Sequence, residues 1–215
     1  MFRLLAPKLK YLYDEYKDKP FTILDVGCGN HSASIIKSVF KNSKYYGIDK
    51  EIYNNSDDDL RLMEQFYIID LEDGSFDDIP DNFFDVIMLA HIVEHLSNGI
   101  SVIEKLIPKL KVGGMIYIEF PSVKSLKFPS MKGTLHFCDD PTHIKLYDIK
   151  EISNLLLSNG FKIIKAGNLR DLVRIILFPA ILIYHIVRGR VGAGTFWYVI
   201  GFSDFVFARK ISMKE

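Results

Sequence analysis

The sequence predicts a single α/β domain built on a doubly wound, mostly parallel sheet with helices on both faces. Two observations carry that expectation. Short β-branched runs alternate with helical stripes along most of the 215 residues, and the first such run ends in a glycine turn. Ile23, Leu24 and Val26 form an apolar run too short for a helix, and Gly27 and Gly29 follow it. Glycine there lets the backbone turn tightly and approach a ligand with no Cβ in the way. Ser32 stands where it would cap the next helix, whose first amides then face the loop.

The chain is long enough for one full core. Lysine plus arginine number 27, as do aspartate plus glutamate, so no global field draws the chain to nucleic acid. The acidic run Asp57-Asp58-Asp59 argues the same way. Two cysteines, Cys28 and Cys138, make no disulfide framework and point to a reducing compartment. Pro7, Lys8 and Lys10 interrupt the apolar start of the chain, which therefore does not read as a secretory leader. The expected location is cytoplasmic.

Leu4, Leu5, Leu9, Leu12, Tyr13 and Tyr16 recur at helical spacing, so a first amphipathic helix is expected up to Lys19-Pro20. After the glycine turn, Ala33, Ile35, Ile36, Val39 and Phe40 give a second helical stripe. Lys44 to Ile48 reads as the second strand, with Asp49 at its end. Asn54 to Asp59 reads as a solvated acidic loop leading into a short helix. Phe66 to Ile69 is the third strand, tipped by Asp70, and Phe84 to Leu89 is the fourth, running into Ala90 and His91. Ile100 to Leu110 is helical, with Lys111-Val112-Gly113-Gly114 read as its basic, glycine-rich stop. Met115 to Phe120, Phe161 to Lys165 and Asp204 to Ile211 are the remaining strands, and a helix spans Asp148 to Asn159. Between them, residues 121–147 form a long, proline-containing loop of the kind that carries function.

Asp49 lies twenty residues beyond Gly29. In a doubly wound sheet the second strand's tip neighbours the glycine turn, so an acid there can accept hydrogen bonds from both hydroxyls of a ribose. A nicotinamide dehydrogenase is one reading of this pair. Its fingerprint wants a third glycine where Ser32 stands, and it leaves Asp70 and the Gly113-Gly114 turn without a role.

Six segments in order carry a fuller resemblance: Leu24-Asp25-Val26-Gly27-Cys28-Gly29, Tyr46-Gly47-Ile48-Asp49, Ile69-Asp70-Leu71, Phe84-Asp85-Val86-Ile87, Glu94-His95-Leu96 and Leu110-Lys111-Val112-Gly113-Gly114. Over roughly Thr22 to Phe161 the chain resembles the class I S-adenosylmethionine-dependent methyltransferases, in particular the small-molecule group of the type 11 and ubiquinone-biosynthesis kind. The resemblance implies a Rossmann-like sheet of about seven strands with an antiparallel last strand, and S-adenosyl-L-methionine as cofactor. It implies that Gly27, Cys28 and Gly29 approach the methionine part and that Asp25 orients that loop. Asp49 would hold the ribose, Asp70 and Leu71 the adenine, and Ala90 and His91 would present backbone to the methionine moiety. Asn30-His31 departs from the small residue the family usually has after Gly29. A non-catalytic module that keeps the cofactor fold as a scaffold is the alternative from another class.

Methyl transfer from a sulfonium is an in-line displacement, so holding the acceptor against the methyl group supplies much of the catalysis. An oxygen acceptor must also lose a proton, a task suited to histidine. The stretch His136-Phe137-Cys138-Asp139-Asp140-Pro141-Thr142-His143 is similar to a segment that crosses the acceptor pocket in many of these enzymes. His143 is the first candidate for the base and His136 the second; His95 is read as a loop anchor. No metal site is expected, the spacing of His136, Cys138 and His143 matching no closed zinc motif. Leu172 to Val187 is a sixteen-residue apolar stretch, interrupted by Arg174 and Pro179, and too short to cross a bilayer. It belongs to an insertion, residues 168–203, between the last two strands, read as an acceptor lid, a homodimer contact or an in-plane membrane segment. Arg170, Arg174, Arg188 and Arg190 flank or interrupt it, which suits an interface and a lipid-like acceptor. Small-molecule and glycan acceptors fit the sequence equally well.

Overall fold

The computed structural model describes residues 5–212, so Leu4 of the first stripe and the opening of the expected leader-free start lie outside it. Helix α1 (Pro7–Tyr16) begins at a proline, whose missing N–H costs nothing at a helix start. Strands β1 (Phe21–Val26), β2 (Ser43–Asp49), β3 (Gln65–Ile68), β4 (Phe84–Ala90), β5 (Leu110–Pro121), β6 (Phe161–Asn168) and β7 (Ser203–Lys210) form one sheet. Its order is β3-β2-β1-β4-β5-β7-β6, with the first five of these strands parallel and β7 antiparallel to both of its neighbours. This is the doubly wound architecture expected from the alternation of elements, including the antiparallel last strand.

Side-chain alternation along the strands sorts the core into two layers. Leu24, Val26, Ile87, Leu89, Ile116 and Ile118 face α4 (Gly99–Leu106) and α5 (Ile149–Ser158). Ile23, Tyr45, Val86, Met88 and Tyr117 face α1 and α2 (Ser32–Val39). Both faces are apolar because both are covered, which is why the strands read as continuous hydrophobic runs.

Three local readings need correction. The helix before β5 ends at Leu106, because Pro108 cannot supply an amide to continue it and a 3-10 turn, Ile107–Lys109, takes over. Lys111 to Gly114 is thus not a helix stop but an irregular stretch inside β5, where the pairing jumps from Phe84–Leu110 to Val86–Met115. Gly113 takes φ +87°, a left-handed geometry that glycine adopts freely. Ser32 lies within the first turn of α2 instead of capping it, since its hydroxyl is spent on Asp25. The acidic run is not a solvated loop: Asp57–Arg61 is helix α3, capped by Ser56 and Asp59, and Asp59 is buried.

Between β6 and β7 the chain makes α6 (Leu172–Val187) and the short α7 (Trp197–Ile200). No residue of α6 is buried, although nearly all of them are apolar. No helix among the described residues is long and apolar enough to cross a membrane.

Candidate functional site

The carboxyl ends of β3, β2, β1 and β4 stand side by side at one edge of the sheet, as the order requires. Ligands bind at that edge in open α/β sheets, at the point where the strand order reverses. Here the reversal falls between β1 and β4. The turn after β1 is hung on β2: the Gly27 and Cys28 amides both donate to the Ile48 carbonyl, at 2.8 and 3.2 Å. Gly27 has φ +75°, and a Cβ there would collide with the Ile92 side chain. Cys28 is buried, and burial pushes its thiol far above the ordinary range, so it packs and does not react.

Asp25 does not face solvent. It is buried in β1 and its Oδ2 accepts from Ser32 Oγ at 2.5 Å and from Tyr45 Oη at 2.6 Å. Burial raises its pKa, against the pull of Lys8 and of those two hydroxyls. It thereby fixes the start of α2 relative to β1 and β2. The Asn30-His31 departure has a structural account as well. Both residues adopt left-handed backbone, and His31 Nδ1 lies 2.6 Å from Asp59 Oδ2, while Ser34 Oγ donates to Asp59 Oδ1. Asp59 pays for its burial through these bonds, which drive its pKa well below the usual carboxylate range. No short-range pattern in the sequence exposes this brace between α2 and α3.

Asp49 is half-buried at the end of β2; the Lys50 amide donates to its Oδ1 at 2.9 Å. Burial raises its pKa, while the Lys50 and Gly29 amides pull it down. Asp70 is exposed beyond β3, its Oδ1 accepting from the Glu72 amide at 3.0 Å. Leu71 turns the other way, into the core layer shared with Tyr67 and Phe76. Ala90, partly exposed, ends β4.

His91 follows in left-handed geometry, φ +59°, and its ring turns inward between two carboxylates. Nδ1 lies 3.1 Å from Glu94 Oε1, and Nε2 lies 3.1 Å from both Glu119 Oε1 and Ser203 Oγ. Burial alone would favour the neutral ring, but Glu119 and Glu94 outweigh it and hold the pKa at about 10. Glu119 is correspondingly held low by His91, against its own desolvation. At neutral pH this is an imidazolium between two buried carboxylates.

The loop at residues 121–147 and the insertion after β6 close over this end. Trp197 Nε1 donates to the Thr134 carbonyl at 2.9 Å, and the Trp197 ring lies 5.2 Å from His91 and stacks on Phe202. Of the candidate bases, His136 has both ring nitrogens committed to backbone: Nδ1 accepts from the Cys138 amide and Nε2 donates to the Leu126 carbonyl, each at 3.1 Å. His143 donates Nδ1–H to the Phe137 carbonyl at 2.6 Å, and its Nε2 lies 4.0 Å from Asp140 Oδ2. His95 anchors the loop through Thr142, whose Oγ1 lies 2.9 Å from His95 Nδ1. Sequence reasoning missed the grouping that results. Ligand-type atoms of Glu94, His95 and His143 lie within 4.8 Å of one another, whereas His136 and Cys138 stay apart from them.

A glycine turn, a half-exposed carboxylate one strand away and a second, exposed carboxylate at the next tip have the acceptor chemistry that an adenosine moiety needs, so the residues fit S-adenosylmethionine. A family model described as a methyltransferase domain matches residues 1–166. Among solved structures, the chain is similar to a SAM-dependent methyltransferase from Archaeoglobus fulgidus, with a TM-score of 0.58 at 19% identity over 95% of this chain and 92% of that one. It is also similar to the plantazolicin methyltransferase BpumL, solved with SAH, with a TM-score of 0.58 at 19% identity over 96% and 83% of the two chains. Phosphoethanolamine N-methyltransferase 2 of Haemonchus contortus gives a TM-score of 0.64 at 16% identity, covering 95% of this chain and 52% of that one. No curated protein matches in sequence. The structural likenesses speak for the fold, and the family model, spanning most of the chain, removes the nicotinamide reading. The chain belongs to the methyltransferase domain family and is an S-adenosylmethionine-dependent enzyme.

Proposed function

We propose that this enzyme methylates an oxygen of a small lipid-like acceptor presented at a membrane surface, working from the cytoplasmic side. The observation that carries this reading is α6. Its outward stripe, Leu172, Ile176, Ile183 and Val187, recurs on one helical face, and Leu172 and Val187 are 75% and 79% exposed. Its other face rests on the rest of the insertion: Phe178 on Phe196, Arg174 over Tyr198, and His185 against Thr195. Arg188 and Arg190 at the far end meet what anionic headgroups offer, and burying four aliphatic side chains is worth about 6 kcal/mol.

In this reading Asp49 accepts from the ribose hydroxyls, Asp70 meets the adenine edge, and Gly27 to Gly29 with Ala90 line the methionine part. When bound, S-adenosylmethionine supplies an electrophilic methyl group on a sulfonium. The chain's own work is to seat the acceptor oxygen and take its proton. The place for that is beneath the 121–147 loop, where the neutral form of His143, donating from Nδ1, would offer Nε2 close to His95 and Glu94.

The test pairs two measurements on the purified chain. Vesicles of phosphatidylcholine with phosphatidylglycerol should carry it upward in a flotation gradient, and a Leu172→Ser, Ile176→Ser, Ile183→Ser, Val187→Ser variant should stay at the bottom. That variant should bind S-adenosylhomocysteine as the parent does. Labelled methyl from the cofactor should appear in the organic phase of a membrane-lipid incubation, in a base-stable linkage typical of an ether. Unchanged flotation of the variant, or a dimer in light scattering that the same substitutions break, would defeat the membrane reading.

A further inference from the structure

We propose that Glu94, His95 and His143 bind a divalent transition-metal ion of the zinc type. Three features of the cluster converge on this. The first is tautomer control at both rings. The Phe137 carbonyl can only accept, so His143 Nδ1 carries a proton, and in the neutral ring Nε2 is the lone pair, 4.0 Å from Asp140 Oδ2. At His95 the same result follows one step removed. The single hydroxyl proton of Thr142 goes to Asp140 Oδ1 at 2.6 Å, so Thr142 Oγ1 accepts from His95 Nδ1, as does the Thr142 carbonyl at 3.3 Å. In the neutral His95 ring Nε2 is therefore the lone pair too. Histidines that ligate metals are held in this way, the second nitrogen donating to a carbonyl or a hydrogen-bonded oxygen.

The second feature is Glu94. It is 0% exposed, His91 takes its Oε1, and its Oε2 has no hydrogen-bond partner among the described residues. A buried carboxylate oxygen with nothing bound to it is costly, and native structures rarely leave one without a ligand, water or ion to meet it. The third is geometry. One ligand atom from each of the three residues lies within 4.8 Å of the others. Around an ion at about 2.0–2.1 Å, tetrahedral neighbours sit roughly 3.4 Å apart, so side-chain rotation closes the set. Two imidazoles and one carboxylate suit zinc or a neighbouring first-row ion over magnesium or calcium.

Three protein ligands leave at least one position open, the arrangement of a catalytic and not a structural site. A hydroxyl of the acceptor entering that position would have its pKa lowered, releasing its proton to solvent and keeping the lone pair on oxygen. This role rests on the oxygen-acceptor reading above; the binding site itself does not. It also gives His143 a different duty, as a ligand that holds the acceptor's activator instead of the base.

The tag-free chain, stripped with a chelator and re-equilibrated, should bind one Zn²⁺ per molecule in calorimetry. Co²⁺ at the same site should give visible absorption bands of four- or five-coordinate geometry that added Zn²⁺ abolishes. His143→Asn and, separately, His95→Asn should weaken Zn²⁺ at least 100-fold while S-adenosylhomocysteine affinity stays within threefold; a Cys138→Ser control should bind Zn²⁺ as the parent does. Because His95 is only half-buried, its variant keeps the test usable if His143→Asn fails to fold. No Zn²⁺ or Co²⁺ binding, or binding untouched by both histidine substitutions, overturns the site. Failure of vesicle flotation with metal binding intact would instead strike only the membrane reading.

Discussion

Replacing Asp49 by alanine should weaken S-adenosylhomocysteine binding about 100-fold. The carboxylate is held in place before any ligand arrives, by the Lys50 amide and by Gly29 on the neighbouring turn. Hydrogen bonds to a charged acceptor contribute about 1.5–3 kcal/mol each, and a ribose offers two hydroxyls. Losing about 3 kcal/mol corresponds to roughly two decades in affinity. Asp49→Asn keeps the shape and one acceptor oxygen and should fall between the parent and the alanine variant. Because Asp49 sits outside both core layers, the thermal midpoint of the ligand-free chain should barely move. Calorimetric titration reads the affinity directly, and a change smaller than threefold would take the ribose away from Asp49.

His91→Leu should be the most destabilising single change at this end of the sheet, costing about 3–5 kcal/mol, because it strips the shared counterion from Glu94 and Glu119. For a chain of this size that is a drop of roughly 10 °C in melting temperature. Two checks separate the charge effect from simple loss of packing. A second substitution, Glu119→Gln, should return part of the stability to His91→Leu, since it removes one of the stranded charges. The other check is pH. The folded ring titrates near 10 and an ordinary histidine near 6.5, so its contribution is complete below about 6.5 and drains away as pH rises toward 10. Glu119 is shifted the other way, so its contribution holds above the ordinary glutamate range and fades as acid is added. Denaturant melts of the parent should therefore lose stability between pH 7 and 10, while His91→Leu should lose much less over that interval.

The sheet could be read from the chain because each strand is a short apolar run and each crossover a helical stripe, both local patterns. The same holds for α6, whose bounds coincide with the apolar stretch from Leu172 to Val187. What escaped was settled by partners far away in sequence. Asp59 looked like one of three solvated acids, and only its contact with His31, twenty-eight residues earlier, shows why it is buried. His91 reads as a strand-tip residue offering backbone to a ligand, and that Glu119, on the next strand, also holds its ring shows only in the fold. The Gly113-Gly114 pair was misread because a glycine doublet after a basic residue resembles a helix stop, while the actual break, Pro108, lay six residues before the second glycine. His95 and His143 are individually ordinary, and their meeting depends on the whole loop folding back.

The insertion between β6 and β7 leaves the sheet at Asn168 and returns at Ser203, and those ends are already side by side. Asn168 pairs with Asp204 in register, the Leu169 amide donates to the Ser203 carbonyl at 2.8 Å, and the Asn168 amide clasps the Ser203 carbonyl and Asp204. The sheet closes this junction whatever the intervening chain does, so little extra loop entropy depends on the excursion's length. The excursion is thus a replaceable cartridge: it can be shortened to a tight turn, or exchanged for another of different polarity, without renegotiating the strand order.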